Sequence, residues 1–150
     1  MTLTIDMDSI QDKLMQQFQK MDLAYENYAK SKNMTYLNLI VLEEIYLLGD
    51  GCTQKEIVDD TFYPKQTINL VIKAFLKEDI IILKEKEDNR KNKGIFLTEK
   101  GKKLSLDIIA PLIKQEEKTI ASIGEEEGRE LLRIIELYSK KYCDLINNLS

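Results

Sequence analysis

Histidine and tryptophan are absent from this 150-residue sequence, and glycine, proline and cysteine are scarce, with six, two and two residues respectively. Without histidine, the chain lacks the commonest general acid or base, and the usual histidine-containing zinc sites are excluded. So few glycines and prolines leave little room for long loops. Leucine and isoleucine set among lysine and glutamate instead favour amphipathic helices over a sheet-rich fold.

The two cysteines, Cys52 and Cys143, belong to no CxxC pair. Their spacing argues against a disulfide framework and against a structural zinc site. The sequence also lacks the GxxxxGK[ST], GxGxxG and GxSxG motifs of nucleotide-binding proteins and hydrolases. We therefore expect no enzymatic activity, no metal and no cofactor.

Long apolar segments are missing as well. No apolar run approaches the roughly 20 residues that a membrane helix needs. The N-terminal stretch MTLTIDMDSIQDK is acidic and lacks the basic-then-apolar order of a signal peptide. These features predict a cytoplasmic protein with no membrane partner.

Charge is unevenly distributed along the chain, whose formal net charge is −4. Residues 63–103 contain eleven basic and six acidic side chains, whereas residues 1–49 and 104–150 are each net acidic. A protein that holds DNA with one face needs only that face to be positive. The acidic total therefore does not exclude a nucleic-acid partner.

Apolar periodicity and capping signals predict a mainly α (α+β) fold. Thr35 is a predicted N-cap, Thr53 and Glu56 form a predicted capping box, and Cys52 and Ile57 form a predicted hydrophobic staple. Two apolar runs, residues 80–83 and 95–97, predict a β-hairpin with a charged tip. The helices are predicted at about 6–31, 36–48, 54–60, 64–78, 99–120 and 125–148.

A short capped helix, a tight turn, an amphipathic helix and a hairpin follow one another directly. This order predicts a winged helix-turn-helix, whose second helix enters the DNA major groove. The helix at 64–78 has an apolar face formed by Ile68, Val71, Ile72, Phe75 and Leu76, with Lys65, Gln66, Asn69 and Lys73 opposite. Taken alone, that division is more typical of an ordinary solvated surface helix than of a recognition helix.

The predicted hairpin tip strengthens the DNA-binding interpretation. An arginine there, Arg90, can enter the narrow minor groove, and Lys91 and Lys93 can neutralise phosphates. The alternative is a charged turn that only keeps an exposed sheet edge soluble.

Two stretches carry a family resemblance. DNRKNKGIFLTEKGKK, from Asp88 to Lys103, resembles the wing signature of the MarR family, and YPKQTINLVIKAFLKEDII, from Tyr63 to Ile82, resembles its recognition helix and first wing strand. By this resemblance Arg90 is the minor-groove arginine and Asp88 holds that arginine or its loop. The span from Asp88 to Thr98 is about one residue longer than usual in the family.

The resemblance implies a homodimer on a pseudo-palindromic double-stranded DNA operator, usually a repressor that a small aromatic effector releases. The first helix lacks the cysteine of the family's peroxide-sensing branch, so no redox response is expected. Residues 1–150 are predicted to form one such domain, with a DNA-binding lobe at 34–100 and dimerisation helices at 1–33 and 101–150. The predicted DNA-binding residues are Lys65, Gln66, Thr67, Asn69, Lys73, Arg90, Lys91 and Lys93.

Dimerisation also has an argument from the residues themselves. The first helix and the last two carry long apolar stripes that a monomer would leave exposed, and large apolar patches usually mark interfaces. The alternative is that these helices pack only within their own subunit. The predicted interface residues are Ile10, Leu14, Leu131, Ile135, Tyr138, Tyr142 and Leu145.

The rival functional hypothesis is a winged-helix adaptor that binds another protein and no DNA, because a fold does not fix a function. The sequence does not identify the operator, the regulated genes, or the effector and its pocket. Four tyrosines, at positions 25, 28, 36 and 46, are candidates for lining such a pocket, although buried core is the commoner role of such residues.

Overall fold

A computed structural model describes residues 10–86 and 89–150, and it describes side chains for all of these except residues 86 and 89–92. Six helices and one two-stranded antiparallel sheet follow in the predicted order, so the mainly α winged-helix architecture is confirmed. The elements are α1 (Ile10–Ser31), α2 (Tyr36–Leu48), α3 (Gln54–Thr61), α4 (Lys65–Lys77), β1 (Ile81–Lys86), β2 (Asn89–Leu97), α5 (Glu99–Ile123) and α6 (Glu125–Asn147).

Side-chain caps fix the starts of α2 and α3. The Thr35 hydroxyl accepts a hydrogen bond from the Asn38 backbone N–H at 3.1 Å. At α3, the Glu56 N–H donates to the Thr53 hydroxyl at 3.3 Å, and the Thr53 N–H donates to the Glu56 carboxylate at 2.7 Å. Both predicted caps are confirmed, and each satisfies a backbone donor that a helix terminus leaves unpaired.

The chain divides into two compact units, residues 10–109 and 110–150. The first has a continuous apolar core to which every helix of the helix-turn-helix contributes. Cys52 and Ile57, the predicted staple pair, are both buried there. Its largest fully buried apolar side chains are Leu39, Leu42, Ile45, Ile57, Ile68, Phe75, Ile81, Ile95 and Ile109.

The hairpin is longer than the apolar runs predict. β1 begins at Ile81, one residue later than expected, and both strands continue into the charged residues. Pairing runs from Ile81 opposite Leu97 to Glu85 opposite Lys93, after which the register shifts at Lys86. The apolar runs mark only the base of the wing, since backbone pairing continues where the side chains become polar.

Backbone hydrogen bonds anchor the wing to the turn between α2 and α3. The Gly51 N–H donates to the Ile95 carbonyl, and the Ile95 N–H donates to the Cys52 carbonyl, each at 2.7 Å. Gly51 has a φ of +90°, which suits glycine because it lacks a Cβ. This bridge fixes the base of β2 beside the helix-turn-helix.

The junction between the wing and α5 is unusually close. The Thr98 hydroxyl donates to the Asp79 carbonyl at 2.6 Å and accepts from the Gly101 N–H at 3.0 Å. A Cβ on Gly101 would lie 2.0 Å from the Ile80 carbonyl oxygen. Within the LTxxG segment, Thr98 therefore caps the start of α5, and Gly101 occupies a position where only glycine fits.

The second unit contains the end of α5 and all of α6. Gly124, with a φ of +100°, separates the two helices. A Cβ on Gly128 would lie 3.3 Å from the Ile120 Cγ2, which indicates that α6 and α5 approach each other there. No residue of α6 is buried.

Two predicted details are wrong. Leu76 was placed on the buried face of α4, but it is exposed, whereas Ile68, Val71, Ile72 and Phe75 are buried as predicted. Pro64 is the N-cap of α4 instead of its first helical residue. The predicted start of the first helix, residues 6–9, lies outside the described residues.

Candidate nucleic-acid interface

A groove of about 540 Å³ lies between the helix-turn-helix and the wing. Its described lining includes four lysines and no carboxylate. Such a groove attracts anions, because its described lining contains positive side chains and no negative ones. The lining residues are Thr53, Gln54, Lys55, Val58, Lys65, Asn69, Ile72, Lys73, Leu76, Leu83, Lys93 and Ile95.

The predicted DNA-binding residues of α4 fall into two sets. Lys65, Asn69 and Lys73 line the groove, at successive intervals of four residues along the helix. Gln66 and Thr67 do not line it; Gln66 is exposed and Thr67 is half-buried. The helix therefore presents one edge toward the wing and a separate outward face.

α3 contributes its N-terminal turn to the same groove. The Gln54 side-chain amide donates to the Lys65 carbonyl at 3.1 Å, which ties the starts of α3 and α4 together. Lys55 forms an ion pair with Asp59, and the hydrogen bond to that carboxylate raises the pKa of Lys55. These α3 residues could not be assigned to the site from the sequence, because their closeness to α4 depends on how the two helices pack.

The wing brings Lys93 to the groove, opposite Glu85 in the strand register. Lys84 lies with its ammonium 4.7 Å from the centre of the Phe96 ring, a cation–π distance. Arg90 and Lys91 belong to β2, but their side chains lie outside those that the structure describes. Asp88, the predicted wing-stabilising residue, also lies outside the described residues.

The outward face of α4 contains an apolar residue that the sequence analysis missed. Leu70 is 68% exposed, four residues after Gln66 and three before Lys73. Residues at these intervals share one face of a helix. The four-residue interval from Gln66 to Leu70 is visible in the sequence, and it could have been used to place the two residues on one face.

The predicted dimer residues are accessible. Ile10, Leu131, Tyr142 and Leu145 are exposed, and Leu14, Ile135 and Tyr138 are half-buried. Tyr138 and Tyr142 stack on each other with ring centres 5.8 Å apart. Five of them, from Leu131 to Leu145, belong to an accessible apolar surface of α6 in the second unit, whereas Ile10 and Leu14 lie on α1 in the first.

All four tyrosines of α1 and α2 are half-buried, and hydrogen bonds are formed by Tyr25, Tyr28 and Tyr36. The Tyr25 hydroxyl donates to the Glu43 carboxylate at 2.6 Å, and the Tyr28 hydroxyl donates to the Ile108 carbonyl at 2.6 Å. The Tyr36 hydroxyl lies 3.2 Å from the Asp22 carboxylate, and burial, followed by that carboxylate, raises the pKa of Tyr36. These bonds give the phenols a role in joining α1 to α2 and α5.

Solved structures reproduce this arrangement. NMB1585, a MarR family regulator from Neisseria meningitidis, superposes with a TM-score of 0.77 at 22% identity over 93% of this chain and 97% of that one. MepR from Staphylococcus aureus, solved as a DNA complex, superposes with a TM-score of 0.73 at 18% identity over 89% and 97%. The chain has the winged helix fold of the MarR family.

A curated relative agrees with the structures. The sequence is 26% identical over 122 residues to SarZ, an HTH-type transcriptional regulator of Staphylococcus aureus, covering 80% of this chain and 79% of SarZ. No protein-family model matches the chain. The resemblance to MarR-family regulators that the sequence indicates is confirmed by these likenesses.

Among residues 10–86 and 89–150, no group of three or more cysteine, aspartate or glutamate residues could hold a metal ion. Within the same residues, no helix is both long and apolar enough to cross a bilayer.

Proposed function

We propose that this protein is a transcriptional regulator that binds duplex DNA with α4 and the wing. The observation that carries the proposal is the groove, where Lys65, Asn69 and Lys73 of α4 face Lys93 of the wing. A recognition helix in the major groove and a basic wing beside it would contact the two kinds of surface that a duplex offers, base edges and phosphates. MepR, which has the same fold, was solved bound to DNA, and this supports the assignment.

The two sets of α4 residues then have different roles. Gln66, on the outward face, is placed to reach base edges, and glutamine pairs bidentately with adenine. Lys65, Lys73 and Lys93 in the groove are placed to contact phosphates, together with Arg90 and Lys91 of the wing, while Asp88 holds the wing arginine. Asn69 also lines the groove, and its side-chain amide can donate to a phosphate or pair with a base edge.

A homodimer completes the proposal. Residues 34–100 form the DNA-binding lobe, and residues 1–33 and 101–150 form the dimerisation helices. Two recognition helices related by a two-fold axis, about 34 Å apart, would read a pseudo-palindromic operator. The exposed apolar side chains of α6, including Leu131, Tyr142 and Leu145, support this pairing because a second copy would bury them.

The regulator acts as a repressor in the cytoplasm, has no catalytic role, and leaves DNA when a small aromatic molecule binds. The family resemblance supports this part. The test is whether simple phenolic and aromatic acids displace the protein from a bound duplex. At least one compound should release the DNA without dissociating the dimer. If none of them releases the DNA, an aromatic effector becomes the weaker account.

The test of DNA binding is a gel-shift titration of the full chain on a random-sequence duplex between about 50 and 200 mM salt, the range over which phosphate contacts lose most of their affinity. Lys73→Ala and Lys93→Ala should each weaken binding, and Lys20→Ala, an exposed lysine of α1, is the matched control. If the wild type shifts no duplex at low salt, an adaptor that binds another protein becomes the better account.

A further inference from the structure

Leu70 is the most exposed large apolar residue of α4, ahead of Leu76 at 37%. Four other large apolar residues of this helix, at positions 68, 71, 72 and 75, are buried, yet the Leu70 side chain is 68% exposed. Single exposed leucines are common on protein surfaces and need no explanation by themselves. Leu70 differs in its position, because it lies at the centre of the outward face, between Gln66 and Lys73.

The chemistry around Leu70 restricts what can cover it. Lys73 and Gln66 are exposed on either side of it, so an apolar surface of a partner protein would have to bury a charge and an amide beside the leucine. A DNA major groove can accommodate the lysine, the glutamine and the leucine together, since it offers phosphates, hydrogen-bonding base edges and one apolar group. That apolar group is the C5-methyl of thymine.

We propose that Leu70 is a specificity-determining residue that contacts a thymine methyl in the major groove. This inference rests on the proposed DNA binding and extends it to a base that the polar residues do not select. Gln66, one helical turn earlier, would read an adjacent base by hydrogen bonding, and Leu70 would favour thymine over cytosine or uracil at its own position. Burial of one methyl-sized group corresponds to about a fourfold gain in affinity.

Deoxyuridine provides the probe, because it pairs like thymidine and lacks only the methyl group. The duplex to use is one that the full-length protein selects from a random pool. Each thymine of one half-site is replaced by deoxyuridine in turn, and affinity is measured by gel shift. For the wild type, at least one replacement should weaken binding about fourfold, the others having little effect.

Variants then assign that position to the leucine. Leu70→Ala should bind the thymine duplex more weakly than the wild type does. It should also bind the thymine and deoxyuridine duplexes with equal affinity. Leu70→Met, which keeps an apolar side chain of similar volume, should retain most of the discrimination. Leu47→Ala, a 57% exposed leucine of α2, should discriminate like the wild type.

The outcomes separate this inference from the proposed function. If the wild type selects no sequence, the proposed function itself fails. If it selects a site but tolerates every deoxyuridine, or if Leu70→Ala keeps the full discrimination, the assignment of Leu70 is overturned while DNA binding stands. A change in oligomeric state with Leu70→Ala would also overturn it, since the leucine would then be a protein contact.

Discussion

The first unit, residues 10–109, contains a buried apolar core, whereas no residue of the second, residues 110–150, is buried. Leu39, Ile57 and Phe75 are essentially inaccessible in the first unit, while in α6 Leu132 is 59% and Leu145 69% exposed. The stability of the first unit can come from its own core. The second unit exposes apolar side chains of the kind that protein interfaces bury, which is compatible with the proposed dimer.

The largest expected effect falls on the closest contact of the first unit. Gly101→Ala should lower the free energy of unfolding by about 3 kcal/mol, because its Cβ would lie 2.0 Å from the Ile80 carbonyl oxygen and backbone cannot move aside cheaply. Urea unfolding measures the change. Gly128→Ala is the matched control in the second unit, where the new methyl would meet only the Ile120 side chain at 3.3 Å. Equal losses in both variants would contradict the close-approach argument.

A substitution on the apolar face of the second unit should weaken formation of the proposed dimer. Leu145→Glu places a charge on the apolar face of α6 in both copies of the proposed dimer, so the dimer dissociation constant should rise at least tenfold, or about 1.4 kcal/mol. Sedimentation at micromolar concentration checks this, with Leu47→Glu on α2 as the control. A wild-type chain that sediments only at 17.5 kDa would show that the apolar face serves some other purpose.

Within the first unit, the two sets of DNA-binding residues should separate. Gln66→Ala should cost about 1–3 kcal/mol on the selected duplex and almost nothing on random DNA, because base contacts carry the preference. Lys93→Ala should weaken both duplexes alike and lower the salt slope by about one unit per subunit. Salt titrations of both variants on both duplexes give the comparison. If both variants lost affinity in the same pattern on the two DNAs, the proposed division between base-contacting and phosphate-contacting residues would be wrong.

The smallest effect concerns Glu44 of α2. Burial, followed by the Asp60 and Glu43 carboxylates, raises the pKa of Glu44 above its usual value. Ionisation then opposes folding, and the penalty develops as the pH rises through the pKa of the unfolded chain. Glu44→Gln should therefore stabilise the protein at pH 7 by less than about 1 kcal/mol, since the group is partly solvated.

Below about pH 4 the carboxyl is protonated in both states, and the advantage of Glu44→Gln should vanish. Thermal unfolding at pH 4 and pH 7 measures the difference. A stabilisation that is the same at both pH values would rule out the ionisation explanation.

Much of the fold follows from local patterns in the sequence. The helical periodicity and the caps at Thr35 and Thr53 are properties of neighbouring residues, so they could be read without knowing the tertiary structure. The length of the hairpin was harder to predict, because pairing between charged residues depends on the partner strand. Leu76 was misplaced because a helical period cannot distinguish the edge of a face from its centre.

The candidate site was only partly predictable. Lysines and polar residues on α4 were identified from the sequence, but their division between the groove and the outward face depends on where the wing lies. The need for glycine at position 101 arises from the Ile80 carbonyl, 21 residues earlier in the chain. Such long-range contacts leave no periodic signal in the sequence.

The central claim is that two copies of this chain hold one duplex through paired recognition helices. Selection of bound DNA from a random duplex pool by the full-length protein tests it most directly. The account predicts an enriched site of two inverted half-sites whose centres lie about one helical turn, roughly 10 base pairs, or a multiple of it apart. A pool that stays unenriched, or that yields a single unpaired half-site, would contradict it.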